Sequence, residues 1–189
     1  LERLPTPAIV VTNLGNQEIG TVQIDLAAWA RRTGSSVVLD ASTAFGWVDL
    51  PDSWSHLVLD ARAWGAPPGA TAVCSAAAPR TNAFDNVPAA VVAGLAAERW
   101  AAQAPTARAA TRAQAQRIAE RVTAEIRGVE VRGATRSALP HILSISVLYV
   151  DAEAVQSRLD AHGFAVGSGS ACASRSGQPS HVLAAVGGL

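Results

Sequence analysis

The thiol of Cys172 sits in the run Gly167-Ser168-Gly169-Ser170-Ala171-Cys172-Ala173-Ser174-Arg175. Glycines and small residues there read as a flexible Gly/Ser loop around that thiol. The second thiol, Cys74, ends an apolar stretch and is expected to be a buried core residue. The two cysteines stand far apart and the four histidines are scattered, so neither a disulfide scaffold nor a metal site is expected. Asp40 and Asp60 each close a short apolar run, Val37-Val38-Leu39 and Leu57-Val58-Leu59, where strand ends of an α/β sheet line a site. All fifteen basic residues are arginine and they balance fifteen acidic ones, a charge pattern that points to neither nucleic acid nor an anionic membrane surface. The chain therefore has no lysine and no side-chain amine for Schiff-base chemistry. His181 at a helix start and His141 before an apolar strand read as structural, and the arginines from Arg108 to Arg127 read as a solvated helix face.

These groups need elements to hold them. The 189 residues, 49% of them apolar, suit one compact domain or two small ones. No apolar run approaches the roughly 18 residues that span a bilayer, and the first residues lack the order of a secretory signal, so a cytoplasmic place is expected. The lack of any Met, even at position 1, reads as a processed or incomplete stretch of a longer product. Strands are predicted at 7–12, 37–39, 57–59 and 70–74, with a helix over 24–32 stopped by Gly34. Short apolar strands separated by helix or loop imply a largely parallel α/β sheet. The Ala-rich stretch from Pro88 to Arg127 predicts two successive helices broken at Pro105. Beyond it come strands at 129–131 and 142–148, a helix over 152–161, a strand at 164–166, a Gly/Ser loop and a closing helix begun at Pro179-Ser180. A boundary near residue 100 divides the chain into 1–100, a partial large α/β domain, and 101–189, a helical connection with a smaller α+β domain that carries the cysteine loop.

Residues 167–187 resemble the active-site cysteine loop and following helix of the cysteine desulfurases. Asn16-Gln17-Glu18-Ile19-Gly20-Thr21-Val22-Gln23, Leu39-Asp40-Ala41 and Asp85-Asn86-Val87-Pro88 agree with that family in order and spacing. The resemblance implies part of the fold-type I, pyridoxal phosphate (PLP)-dependent transferase large domain, without the amino-terminal segment and the carboxy-terminal substrate-binding Arg. It further implies PLP as the family cofactor, a persulfide-type nucleophile at Cys172, a carboxylate partner of the pyridinium nitrogen at Asp40 and a ring contact at Asn16. The family is dimeric, so a homodimer, or a heterodimer with a homologue, is expected, together with a sulfur-acceptor protein.

Several cofactor positions depart from the family pattern. Ala63 stands where the resemblance puts the Schiff-base lysine, Arg62 replaces a His, and Asp60 replaces a hydroxyl that contacts phosphate. Thr43 replaces a Gln and Phe84 a Thr. Concerted loss at one ligand's contacts favours natural decay over a single engineered change at Ala63. The expectation is therefore a desulfurase-like protein that holds no cofactor as written, lacks PLP-dependent lyase activity and carries sulfur on Cys172. The alternatives are a structural or regulatory dimerisation partner of an active desulfurase, or an incomplete or altered stretch of one.

Overall fold

The computed structural model describes residues 5–23, 25–77, 86–132, 138–169 and 180–186. Four strands, β1 (Ile9–Asn13), β2 (Ser36–Asp40), β3 (His56–Asp60) and β4 (Thr71–Ser75), form one sheet in that order. β1, β2 and β3 run parallel and β4 returns antiparallel, so the mostly parallel α/β sheet expected from the sequence is observed. Helix α1 (Leu26–Thr33) makes the crossover between β1 and β2. It stops where expected: Gly34 adopts a left-handed conformation, φ 64°, and its N–H caps the carbonyl of Ala30.

The sheet buries one face. Val37 and Leu39 of β2 and Leu57 and Leu59 of β3 point towards Leu26, Trp29 and Ala30 of α1, and Ala93 of the long helix α2 (Val87–Glu125) joins the same core. A single-turn 3-10 helix, Ala61–Trp64, follows β3 and contributes Trp64 to that core. The Trp64 indole N–H donates to the carbonyl of Ala93 at 3.0 Å, and Phe45 meets the ring edge-on with centroids 5.0 Å apart. Trp64 thus locks the turn after β3 to α2.

Cys74 corrects the sequence reading, because it is exposed. It faces the same side as Leu57, its partner in register, but β4 is an edge strand and no described helix reaches over it. The expected break at Pro105 is also absent: α2 continues for 39 residues with that proline inside it. Proline removes the N–H that would bond the carbonyl of Ala101, yet Ala101 is exposed, so water can satisfy that oxygen. Alanine-rich flanks and burial of Ala104 carry the helix through.

α2 runs uninterrupted past residue 100 and reaches β5 (Val129–Arg132), which pairs antiparallel with β6 (Ser144–Val147). Helices α3 (Ala152–Asp160) and α4 (His181–Ala185) follow, each with a side-chain cap, Asp151 on the N–H of Ala154 and Ser180 on those of Val182 and Leu183. Residues 164–166 form no strand: they are exposed and pair with none of the described strands. The segment 138–142 plugs back into the larger part. Leu139 is fully buried, its N–H donates to the carbonyl of Gly20 at 2.7 Å, and the His141 ring stacks on Trp47.

Candidate active site

The carboxyl ends of β1, β2 and β3 bring Asn13, Asp40 and Asp60 to one edge of the sheet, all on the face opposite the core. This follows from the two-residue repeat of a strand: buried Leu39 and Leu59 force their neighbours Asp40 and Asp60 to the other side. Ligands in parallel α/β sheets bind outside these strand ends.

Each carboxylate is tied down locally. Asp40 Oδ1 accepts from the N–H of Ser42 at 2.9 Å and from its hydroxyl at 2.6 Å. The same Ser42 Oγ accepts from the backbone N–H of Asp60 at 2.8 Å, so one hydroxyl knits the ends of β2 and β3 together. Ser42 is a site residue that the sequence reading missed; the signal was its position two after an Asp at a strand end, where such a residue closes an Asx turn. Asp60 Oδ1 accepts from the N–H of Arg62, and the Arg62 guanidinium closes on both carboxylate oxygens, with Nε at 2.9 Å and Nη2 at 2.5 Å from Oδ2. The side-chain hydrogen bonds from Arg62 hold the Asp60 carboxyl below the ordinary carboxylate range and raise the guanidinium in return.

Asn16 lies in the loop after β1 and is engaged in its own turn. Its Oδ1 accepts from the N–H groups of Glu18 at 2.9 Å and Ile19 at 3.0 Å. Thr43 donates to the carbonyl of Gly15 at 3.2 Å, tying that loop to the one after β2. Ala63 is exposed in the 3-10 turn immediately after Asp60 and Arg62. The structure therefore gathers Asn16, Asp40, Asp60 and Ala63 on loops that leave neighbouring strand ends. Cys172 and Phe84 lie outside the described residues.

The sequence profile described as aminotransferase class-V matches residues 71–189. This chain belongs to the class-V aminotransferase family. Among curated relatives of this family member, a cysteine desulfurase of Bradyrhizobium diazoefficiens is 32% identical over 201 residues, covering 96% of this chain and 51% of its own length. A cysteine desulfurase of Trichormus azollae is 36% identical over 108 residues, covering 57% of this chain and 27% of its own. A NifS-like protein from Rickettsia africae superposes with a TM-score of 0.74 at 18% identity, over 95% of this chain and 52% of that one. A second NifS-like structure superposes at 0.75 and 18%, over the whole of this chain and 54% of the other. These superpositions establish the fold. The class-V chain spans about half the length of the curated relatives that match nearly all of it.

Proposed function

We propose that this chain is a cysteine desulfurase-like protein without PLP-dependent lyase activity, whose remaining chemistry is sulfur transfer through Cys172. The observation that carries the reading is the ion pair at the end of β3. At the position that the resemblance gives to a phosphate-contacting hydroxyl stands Asp60, kept ionised by Arg62, and beside it Ala63 offers no amine in a chain that has no lysine.

Pyridoxal phosphate held as an imine does not fit this donor set. A phosphate dianion at Asp60 would face a carboxylate, and the Arg62 guanidinium that could offset the repulsion is already engaged. At Asp40 and Asn16, to which the resemblance gives cofactor contacts, Oδ1 is engaged in local turns. Sulfur transfer asks less of the protein. The Cys172 thiolate attacks the outer sulfur of a persulfide on a donor protein, the donor's sulfur–sulfur bond breaks, and its thiolate leaves and takes up a proton. The product is a Cys172 persulfide, with no net oxidation or reduction.

The test has two arms. With PLP and L-cysteine alone, neither a PLP imine absorbance nor sulfide release is expected; turnover there would end the proposal. With catalytic amounts of an active desulfurase and L-cysteine, intact mass should show one added sulfur atom, lost in Cys172→Ser and kept in Cys74→Ser. We place the protein in the cytoplasm, and among the described residues no helix is long and apolar enough to cross a membrane.

A second reading, a homodimer or a structural partner to an active homologue, is favoured by α2. Val87, Val91 and Leu95, one turn apart along the helix, are each more than half exposed, and Leu95 lines an open groove of about 430 Å³ together with Trp64, Val92, Arg99 and Trp100. Sizing of the chain alone and mixed with a homologue, with and without Leu95→Asp, tests that surface.

A further inference from the structure

The groove between the 3-10 turn after β3 and helix α2 is built from fixed parts. Trp64 and Gly65 of the turn line it, with Leu95, Arg99, Trp100 and Gln103 of the helix. Both indoles are held in place. Trp64 donates its N–H to the carbonyl of Ala93 and meets Phe45 edge-on, while Trp100 donates to the carbonyl of Phe45 and leans on Trp47. Their polar atoms are engaged, so what they offer to the groove is apolar ring surface. Gly65 leaves its side open: its φ of 84° suits glycine, and no atom lies within 4 Å of where a Cβ would stand.

Arg99 puts a charge into this apolar setting. Its neighbours one turn away along α2 are Leu95, Ala96, Ala102 and Gln103, none of them acidic, and Glu98 lies about 100° round the helix. Among the described residues Arg99 forms neither an ion pair nor a hydrogen bond, whereas Arg62, Arg108, Arg121 and Arg132 each hold a carboxylate. The groove's volume, about 430 Å³, is that of a small-molecule pocket. A guanidinium binds a carboxylate through two parallel N–H···O bonds, and indole rings pack against flat apolar rings. One cation balances one negative charge, so a monoanion is matched and a dianion is not.

We propose that this groove binds a small aromatic carboxylate, its ring against Trp64 and Trp100 and its carboxylate on Arg99, with the Gln103 amide as a further donor. The site is distinct from the strand ends: α2 packs on the core side of the sheet, while Asp40 and Asp60 lie on the opposite face. The inference needs neither sulfur transfer by Cys172 nor pairing of two chains; a second copy seated on this groove is the competing occupant.

Calorimetric titration with 2-naphthoate, its neutral amide 2-naphthamide and acetate tests the site. 2-Naphthoate is expected to bind one to one. Naphthamide, which lacks the charge, and acetate, which lacks the ring, should each bind about tenfold or more weakly. Arg99→Gln should weaken naphthoate about tenfold or more and leave naphthamide unchanged. Arg117→Gln, which removes an exposed cation further along α2 and outside the groove, should change neither. Both side chains are exposed, so circular dichroism should show the variants folded. Absence of naphthoate binding, equal binding of acid and amide, or a loss through Arg117→Gln equal to that through Arg99→Gln would each overturn the proposal. So would a dimer by light scattering that excludes naphthoate and dissociates in Leu95→Asp. Persulfide formation on Cys172 is read by mass in a separate assay, so the two readings fail separately.

Discussion

At the scale of the residue, Asp60 and Arg62 form the most telling pair. The guanidinium side chain is 69% exposed, and an exposed pair of this kind adds little to stability even when its geometry is good. Its effect is on protonation. Arg62→Ala should raise the Asp60 titration midpoint towards 3.8, followed by carboxyl NMR shifts, while the unfolding temperature stays nearly unchanged. A drop of many degrees would show the pair to be structural. Gly46 gives the opposite outcome. A Cβ added there would lie 1.9 Å from Nε1 of Trp100, and its φ of 77° suits only glycine. That indole N–H donates to the carbonyl of Phe45 at 3.1 Å, and Arg108 binds the carbonyls of Gly46 and Val48, so neither partner can retreat cheaply. Gly46→Ala should cost about 2 kcal/mol or more in urea unfolding.

At the scale of the element, α2 carries two residues that its packing does not require. Gly94 has open space around the position of a Cβ, and Pro105 is exposed inside the helix. Gly94→Ala should stabilise by about 0.5–1 kcal/mol, and Pro105→Ala by up to about 3 kcal/mol, both read as a higher denaturation midpoint. The proline is also where sequence and structure part. Local propensity says that Pro105 breaks a helix, but neither the exposure of the Ala101 carbonyl nor the burial of Ala104 is visible in a linear pattern. Cys74 misled for a similar reason. Its apolar neighbours predicted a strand correctly, while its burial depended on whether a helix covered the edge. The strands closing at Asp40 and Asp60, the Gly34 stop and the Ser180 cap were legible because each depends on a few adjacent residues. Ser42 bridging β2 to β3 was not, since the second strand lies 18 residues away.

At the scale of the whole molecule, an aromatic stack joins the two parts of the chain. Trp100 of α2 lies against Trp47 with centroids 4.9 Å apart, and Trp47 lies against His141 at 4.4 Å. Beside it Leu139 fills the main core, Ala138 bridges Thr21, and Arg112 reaches the Ala138 carbonyl. His141 is therefore the titratable member of the joint. Partial burial pushes its pKa below the ordinary 6.5, so the neutral ring is the form that the fold favours. The unfolded chain takes up this proton at higher pH than the folded one. The contribution of His141 is thus fully present above about pH 6.5 and is lost as the pH falls from there through the folded-state pKa. Asp60 and Glu125, both held below their ordinary values by an arginine, add a second, slight loss of the same sign that begins only as the pH falls to about 4.5 for Glu125 and 3.8 for Asp60. Unfolding temperature measured from pH 7.5 downwards should consequently fall first below about pH 6.5, with only a slight second fall from the two exposed pairs below about pH 4.5. His141→Phe keeps a ring against Trp47 but cannot titrate, so it should flatten the first stage and leave the second. An unchanged slope between pH 6.5 and 5 in that variant would move the sensitivity away from this joint.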